Sequence, residues 1–446
     1  MKRFLYIFTA VVLLSSCSKL TDVLDNNPPN NLVPENVAPD ADGLKRLLNG
    51  TYATLHDQYY NLHSEIIPSV LGGTMRRVSM PTIHYQDNAV TPDVAMLNAM
   101  WMAYYKLVNM SNWVIKLAGE LPEGEMSVEQ KTLMIAEARA LRAMGHFDAL
   151  RYFGQYYDSN SKYGVVVRTD AIDFTTRHIK RSTVAETYAQ IIDDLDFAIA
   201  NGPEFSKPIF MSKTAAKALK ARVLLYKGDY SEAAALADQV ITENKRTLSP
   251  TFAAVFSTGF NSTEMIFMKA TDAVTAVLER KKNTYPNGAT TGSPWLKTFM
   301  TGDPRAALTF NATNNYVLKV NNQTFFAPTY FIRLAEMYLI KAEALTRSDA
   351  PLADAKLPLQ AIRSRAFGTP QVSLATTKEA LLDEIHAEII KELVFENGSD
   401  WFASVRFDKI KTIKPSVTSV NQYILPIPES ETLTNNLFGP QNPGYE

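Results

Sequence analysis

The stretch from Thr214 to Ile241, TAAKALKARVLLYKGDYSEAAALADQVI, decides the fold that we predict for this chain. Its first half places small and apolar residues, such as Ala221 and Leu225, on one stripe of a helix. Gly228 and Asp229 then interrupt the pattern, because glycine and aspartate favour turns. A second apolar stripe follows at i, i+3, i+4, i+7 spacing and consists of Ala233, Leu236, Ala237, Val240 and Ile241. The stretch therefore predicts a helical hairpin.

Small residues on facing stripes allow two helices to lie close together and antiparallel. The spacing in this hairpin resembles the tetratricopeptide repeat of about 34 residues. One such hairpin cannot bury its own stripe, so it needs neighbours of the same kind. Further helices are predicted over Asp40–Leu55, Ala95–Leu117, Ser127–Phe153, Thr183–Ala200, Tyr330–Arg347, Leu352–Phe367 and Thr376–Asn397. We therefore predict a mainly all-α fold, with tetratricopeptide-like helical hairpins as scaffold, long loop-rich insertions and a few short strands.

Three long non-helical zones interrupt the helices: His56–Val94, Lys245–Thr329 and Ile413–Glu446. The second zone contains a predicted β-hairpin, with strands at Tyr316–Val320 and Gln323–Phe326. Loops of this length are uncommon unless they are functional, and binding sites often lie on loops held by a rigid scaffold. We therefore expect the ligand site to lie on these loops.

Composition excludes several classes of protein. The 446 residues include 45 basic and 46 acidic ones, which give a net charge of −1 and argue against a nucleic-acid-binding protein. Cys17 is the single cysteine, and the six histidines lack the spacing of metal ligands. We predict no metal site and no cofactor. No apolar run reaches the roughly 18 residues that a transmembrane helix needs.

The N-terminus is typical of an exported protein. Lys2 and Arg3 precede an apolar segment, Phe4–Leu14, which is too short to span a membrane and indicates a signal peptide. Leu14-Ser15-Ser16-Cys17 resembles the bacterial lipobox, in which the cysteine is lipidated. The segment Asp25–Pro39 is rich in proline and asparagine and should not form a helix. The predicted divisions are a signal peptide (1–16), a lipid-anchored tether (17–39) and a body (40–446).

Enzymatic activity is not indicated by the sequence. Asp193, Asp194 and Asp196 are candidate catalytic carboxylates, but they lie on a predicted helix, where a solvated face is the simpler interpretation. No Gly-x-Ser-x-Gly motif or phosphate-binding glycine loop is present. We therefore predict that the protein is not an enzyme.

Binding of a sugar is compatible with the loops, because sugars need aromatic platforms with polar groups at the rim. Trp101 and Trp113 lie on a predicted helix and are expected to be core residues. The candidate ligand-binding residues on the loops are Trp295, Tyr285, Tyr316, Arg76, Arg77, His84, Tyr85 and Asp87. The residues do not decide between a glycan and a peptide as ligand, and a tetratricopeptide-type scaffold for partner proteins is a further alternative.

An ordered set of motifs spans nearly the whole chain. They are Glu137-Ala-Arg-Ala-Leu-Arg-Ala143, Arg151-Tyr-Phe-Gly154, Asp303-Pro-Arg305, Arg333-Leu-Ala-Glu-Met-Tyr-Leu339, Glu392-Leu-Val-Phe-Glu396, Trp401-Phe402 and Gln441-Asn-Pro-Gly-Tyr445. Together with the lipobox, this set resembles the SusD/RagB family of outer-membrane nutrient-binding lipoproteins of Bacteroidetes. The chain departs from the family pattern at Asp400, where an arginine is usual, and at Ala403, where an aspartate is usual.

The resemblance implies a cell-surface lipoprotein of the outer membrane that captures an oligosaccharide nutrient. It also implies a partner, a SusC-like TonB-dependent transporter, for which this protein would serve as the lid. The charged motif residues, including Glu137, Arg142, Arg333 and Glu336, are expected to form ion pairs within the scaffold.

Overall fold

The computed structural model of this protein describes residues 40–77, 82–173, 175–269, 290–320 and 328–446. Its α-helices, in chain order, are α1 Ala41–Ala53, α2 Gln58–Leu71, α3 Ile83–Gln86, α4 Ala95–Glu120, α5 Val128–Phe153, α6 Val184–Asn201, α7 Lys213–Lys227, α8 Tyr230–Thr242, α9 Phe252–Ser257, α10 Pro294–Phe299, α11 Ala306–Thr309, α12 Leu334–Arg347, α13 Leu352–Phe367, α14 Lys378–Leu393, α15 Ser399–Arg406, α16 Ile410–Ile413 and α17 Glu429–Thr434. The strands are β1 Met75–Arg77, β2 Met265–Lys269, β3 Thr290–Gly292 and β4 Thr329–Arg333. The mainly helical fold predicted from the sequence is confirmed.

The helical hairpin predicted from Thr214–Ile241 is formed by α7 and α8. The side chain of Ser212 caps α7 by accepting a hydrogen bond from the Ala215 amide at 3.2 Å. Gly228 ends α7 in the left-handed conformation, with φ of 94°, which glycine adopts without steric cost. Ala221 and Ala237 are fully buried, so the two helices pack closely through small residues.

The other helices extend this hairpin into a stack. Helix α4 packs on α5, α5 on α6, α6 on α7, α8 on α12, and α12 on both α13 and α14. The starts of α5 and α6 are fixed by capping boxes at Ser127 and Thr183, the residues at which the predicted helices begin. Trp101 and Trp113 of α4 are buried, which confirms that they are core residues. Each helix buries its apolar stripe against the next, as a repeat scaffold requires.

Several predicted boundaries were wrong. Helix α2 lies within His56–Val94, a zone that the sequence analysis treated as non-helical. Residues 330–333 belong to β4, not to the following helix, because they pair antiparallel with β2. The last long helix is capped by Thr377 and ends at Leu393, four residues before the predicted stop. Gln323–Phe326, the second strand of the predicted hairpin, lies outside the described residues, as do the signal peptide, Cys17 and the tether.

Buried ion pairs join the second half of the fold. Arg333 donates to Glu264 at 2.5 Å, to Glu392 at 2.6 Å and to Glu396 at 2.7 Å. Arg305 donates to Asp303 at 2.8 Å, to Glu388 at 2.5 Å and to Glu392 at 2.9 Å. All of these groups are nearly inaccessible to solvent, so each charge depends on its partners.

Two expectations about charged residues are corrected by the structure. Asp194 is fully buried and accepts bonds from Arg139 and Arg142, so it does not lie on a solvated helix face. Among the residues that the structure describes, Glu137 has no cation as ion-pair partner and accepts a hydrogen bond from the Tyr52 hydroxyl. Burial raises the pKa of Glu137 to about 7, and the Tyr52 hydrogen bond opposes this shift. The expected scaffold ion pairs are present for Arg142, Arg333 and Glu336.

Candidate functional site

A short antiparallel ladder brings two of the predicted loop zones together. Strand β1 follows α2, and strand β3 precedes α10, with Met75 opposite Gly292 and Arg76 opposite Thr291. The ladder continues through a hydrogen bond from the Ser293 amide to the Thr74 carbonyl at 2.9 Å. Gly292 allows a close approach of Phe310, since a Cβ at this position would lie 3.2 Å from the phenyl ring and would require the ring to shift by a few tenths of an ångström. The structure thus joins the His56–Val94 and Lys245–Thr329 zones at one surface.

Trp295 is held at this surface by the start of α10. Ser293 caps the helix by accepting from the Leu296 amide at 3.1 Å, and Pro294 occupies the first helical position, where its missing amide costs nothing. Leu296 is fully buried and anchors the turn. The indole of Trp295 is half-buried and stacks on Phe299, with ring centroids 4.8 Å apart and an interplanar angle of 16°. Its orientation is therefore fixed before any ligand binds.

A cavity of about 380 Å³ opens beside Trp295. It is lined by residues of both loop zones and of the C-terminal zone: Gly73, Met75, Arg76, Gln86, Asp87, Ser293, Pro294, Trp295, Ile413, Lys414 and Ser416. The period-2 pattern of β1 buries Met75 and exposes Arg76. Three of the residues predicted from the sequence, Arg76, Asp87 and Trp295, therefore share one cavity.

Charged side chains of both signs line this cavity. Lys414 is half-buried, and burial lowers its pKa, an effect that Asp87 opposes and Arg76 reinforces. The side chain of Lys414 packs against Gly73, which has φ of +74°. This approach is possible because glycine has no Cβ, and a Cβ at this position would lie 3.0 Å from Lys414 Cδ. The cavity thus combines two cations and one carboxylate with an aromatic ring, which suits a ligand rich in hydroxyl groups.

The other sequence candidates do not line the cavity. Tyr85 is fully buried in the core, so its ring is not accessible to a ligand, and burial raises the pKa of its hydroxyl. His84 is exposed on α3, and Arg77 is half-buried, with its amide donating to Gln86 at 3.3 Å. Tyr316 is half-buried and forms a β-bridge with Thr291 of β3. Tyr285 lies outside the described residues.

Sequence reasoning missed Lys414, Ser416 and Gln86. Lys414 and Ser416 follow α16, at the start of the C-terminal zone that the sequence marked as a long loop. The sequence indicated only that these two residues belong to a long loop zone, because local sequence patterns do not show which distant loop a residue contacts.

A larger cavity, of about 640 Å³, was not predicted either. It lies along the exposed side of α4 and contains Met102, which is 60% exposed, together with Tyr105 and Lys106. The aromatic ring at its floor, Trp101, is only 4% exposed, and its indole N–H already donates to Glu431 at 3.1 Å. This cavity therefore offers no accessible tryptophan face comparable with that of Trp295.

The described ranges carry neither a metal-binding cluster nor a membrane-spanning helix. Within them, no group of three histidine, cysteine, aspartate or glutamate side chains is arranged to hold a metal ion. No helix in that part of the chain is both long and apolar enough to cross a bilayer.

A helical-repeat scaffold that carries an aromatic and charged cavity on its loops defines a class of ligand-binding proteins. Comparison with known proteins identifies the family within this class. A family described as SusD-like, starch-binding and associating with the outer membrane matches residues 22–225, and the SusD family matches residues 226–414. The chain belongs to the SusD/RagB family, whose members are binding proteins and not enzymes.

Individual relatives are similar over nearly the full length. SusD-like protein P2 from Formosa agariphila is 25% identical over 517 aligned positions, which cover 99% of each chain. The crystal structure of a putative sugar binding protein from Bacteroides vulgatus is 26% identical, with a TM-score of 0.78 over 92% of this chain and 100% of that one. A laminarin binding SusD-like protein is 22% identical, with a TM-score of 0.73 over 91% of this chain and 100% of that one, and at this identity it shows the fold alone.

Proposed function

We propose that this protein is a cell-surface lipoprotein that binds an oligosaccharide at the cavity of Trp295 and delivers it to a SusC-like TonB-dependent transporter. The observation that carries the proposal is the pre-oriented, half-exposed indole of Trp295 beside Arg76, Asp87 and Lys414. An indole face stacks on the C–H face of a sugar ring, while charged groups hydrogen-bond to its hydroxyls.

The comparisons support a glycan as ligand. The family of the N-terminal half is described as starch-binding and outer-membrane-associated, and one structural relative, at 26% identity, is titled a putative sugar binding protein. A peptide remains the alternative ligand, because charged groups of both signs also suit a peptide backbone and its side chains. Lipidation at Cys17 would hold the protein at the outer membrane.

The first experiment is a screen of the full-length protein, in mild detergent, on an array of both glycans and peptides. We expect binding to oligosaccharides and none to peptides. A set of hits made up of peptides alone would contradict the proposal and support the peptide alternative.

The second experiment locates the site with matched variants. Trp295→Ala should weaken binding of the best array hit by about 1 kcal/mol or more, or roughly fivefold in Kd, because a stacked aromatic contributes roughly 0.5–1.5 kcal/mol beyond its buried area. Met102→Ala removes an exposed apolar side chain from the larger cavity and should leave the affinity unchanged. If Met102→Ala weakens binding and Trp295→Ala does not, the ligand binds in the larger cavity and the proposed site is wrong.

A further inference from the structure

Thr74 connects the two loops that build the cavity. It lies between α2 and β1 and is fully buried. Its amide donates to the Ser69 carbonyl at 3.0 Å, and its carbonyl accepts from the Ser293 amide at 2.9 Å. Because Ser293 caps the helix that carries Trp295, a displacement of Thr74 would move both Arg76 and Trp295.

The side chain of Asp400, in the first turn of α15, contacts the side chain of Thr74. The Thr74 hydroxyl bonds to Asp400 Oδ2, and Ser69 also bonds to this carboxyl. Asp400 is fully buried, and in the described ranges it forms no ion pair with a cation. Its second oxygen, Oδ1, has no hydrogen-bond partner there. Burial raises the pKa of this carboxyl above its ordinary value of 3.8, although hydrogen bonds from Thr74, Ser69 and nearby amides oppose the shift.

A count of protons favours the acid form of this carboxyl. The Thr74 hydroxyl has one proton and two contacts, the Ser69 carbonyl at 3.1 Å and Asp400. The Ser69 hydroxyl likewise has one proton for the Glu65 carbonyl at 3.0 Å and for Asp400. Among these hydroxyl contacts, which exclude the amides that also bond to the carboxyl, an ionised Asp400 leaves two protons for four contacts, whereas a protonated Asp400 supplies a third.

Other titratable groups lie on the helices around Asp400, and none of those in the described ranges forms an ion pair with it. From α5, Tyr152 lies close enough that Asp400 raises its pKa, while Asp148 and Arg151 of the same helix pair with each other at 2.7 Å. From α14, His386 contacts Ser404, one turn after Asp400, at 3.3 Å, and burial lowers the pKa of this histidine to about 4. On the other elements that pack here, α2 carries Glu65, which is buried and has partners of its own, and Lys414 lies beside Gly73.

We propose that Asp400 is a positioning residue of the ligand cavity, which in its protonated form holds Thr74 and thereby keeps Arg76 and Trp295 in place. Ionisation of Asp400 places an unpaired charge in the core, and this charge is relieved when Thr74 and its neighbours move and admit water. Ligand affinity should therefore fall as the pH rises. This inference rests on the proposed function only where it concerns the ligand.

Hydrogen–deuterium exchange of the full-length protein in detergent tests the inference without a ligand. At successive pH values from pH 4 to pH 8, with intrinsic exchange rates corrected, peptides that contain the Thr74 and Ser293 amides should lose protection as the pH rises above the ordinary pKa of 3.8, by up to about tenfold per pH unit, because opening then releases one proton. The loss should level off above the raised pKa of Asp400 in the closed state, where the carboxyl is ionised in both states. Asp400→Asn keeps a neutral, hydrogen-bonding side chain and should remove this pH dependence. His386→Gln should retain it. Unchanged protection in the wild type, or the same pH dependence in Asp400→Asn, would overturn the proposal.

A second variant covers the case in which Asp400→Asn does not fold. Thr74→Val removes the hydroxyl but preserves the shape, and it should lower the protection of the Ser293 amide at pH 5 and make it independent of pH. Laminarihexaose serves as the binding probe, and its affinity should follow the protection of Ser293 across the same pH range. If protection switches with pH and laminarihexaose binds at no pH, the positioning role stands and the proposed ligand class is wrong.

Discussion

Replacement of Glu392 by glutamine should destabilise this protein far more than an ordinary change of charge. The carboxylate accepts from Arg305 at 2.9 Å and from Arg333 at 2.6 Å, and it also contacts Arg365. All four side chains are buried. The amide keeps the shape of the side chain but leaves three guanidinium groups without this negative partner.

Breaking a buried ion pair costs about 3–5 kcal/mol, because the remaining charge stays desolvated. The entropy of unfolding is roughly 2.1 cal/mol/K per residue, which gives about 0.8 kcal/mol/K for a body of roughly 400 residues. The thermal midpoint should therefore fall by about 4–6 °C.

The matched control is Glu384→Gln, two turns earlier on the same helix. Glu384 pairs with Arg363 at 2.6 Å, but both side chains are at least 20% exposed. Such a pair contributes about 0–1 kcal/mol, so its loss should shift the midpoint by about 1 °C or less. Thermal unfolding followed by circular dichroism compares the two variants. Equal shifts for Glu384→Gln and Glu392→Gln would refute the reasoning that burial sets the strength of this network.

Two further predictions follow from the ionised groups and the anchor. The pKa values of Glu392, Asp303 and Glu343 are lower in the folded protein than in the unfolded chain, because arginines surround these buried carboxylates. The stabilisation by these carboxylates is therefore complete when the pH lies above their ordinary pKa values of 4.5 and 3.8, and it is lost as the pH falls below these values. The thermal unfolding midpoint, measured from pH 7 to pH 3, should therefore begin to decrease once the pH is below about 5. A constant midpoint over this range would contradict the assignment. Cys17→Ser should release the protein from the membrane and abolish acyl labelling, and labelling that survives would exclude Cys17 as the anchor.

The buried network also has a consequence for the ligand cavity. Lys319, which is fully buried, donates to the carbonyls of Glu392 and Val394 at 2.7 and 3.0 Å. It lies three residues after Tyr316, which bridges to β3. These hydrogen bonds attach the end of the Trp295 loop that contains Lys319 to the end of α14. The buried network therefore stabilises both the helical scaffold and the loop that forms the cavity.

The sequence predicted helices correctly where apolar residues recur with a period of 3.6 residues and a helix-ending residue follows them. Gly228 ends α7 as the pattern indicated. Helix α2 was missed because Pro68 lies inside it and glycines follow it, both of which usually indicate a loop. The burial of Ile66, Ile67 and Val70 outweighs the lost hydrogen bond at Pro68. Tertiary packing, which a single sequence does not display, therefore decided this segment.

The cavity was predicted only in part, for a related reason. Loop composition indicated Arg76, Asp87 and Trp295, and the structure brings these three together. Tyr85 had the same sequence signal, a polar loop with an aromatic residue, yet it points into the core. Lys414 reaches the cavity from a third part of the chain, more than three hundred residues after Arg76 and more than one hundred after Trp295. The direction of a side chain and the meeting of distant loops depend on packing, so local patterns do not specify them.

Transfer of a captured nutrient requires a receiver, because a protein that only binds cannot move its ligand across a membrane. We expect the receiver to be a SusC-like TonB-dependent barrel, as the family membership suggests, with this protein as its lid. A tether between Cys17 and the body at residue 40 would allow the body to swing while the anchor stays fixed. Closure over the barrel would then trap the ligand between two surfaces and tighten its capture.

A stable contact of this kind buries roughly 1,200–2,000 Å² or more, and we expect the helical faces, not the ligand loops alone, to supply most of it. The native protein should therefore copurify from outer membranes with a large barrel protein in equal amount. Shortening the Asp25–Pro39 segment should impair nutrient uptake and leave ligand binding by the purified protein unchanged, whereas Trp295→Ala should weaken ligand binding and leave copurification intact. The lid hypothesis is wrong if gentle detergent extraction yields only monomer and deletion of the neighbouring transporter gene leaves uptake unchanged.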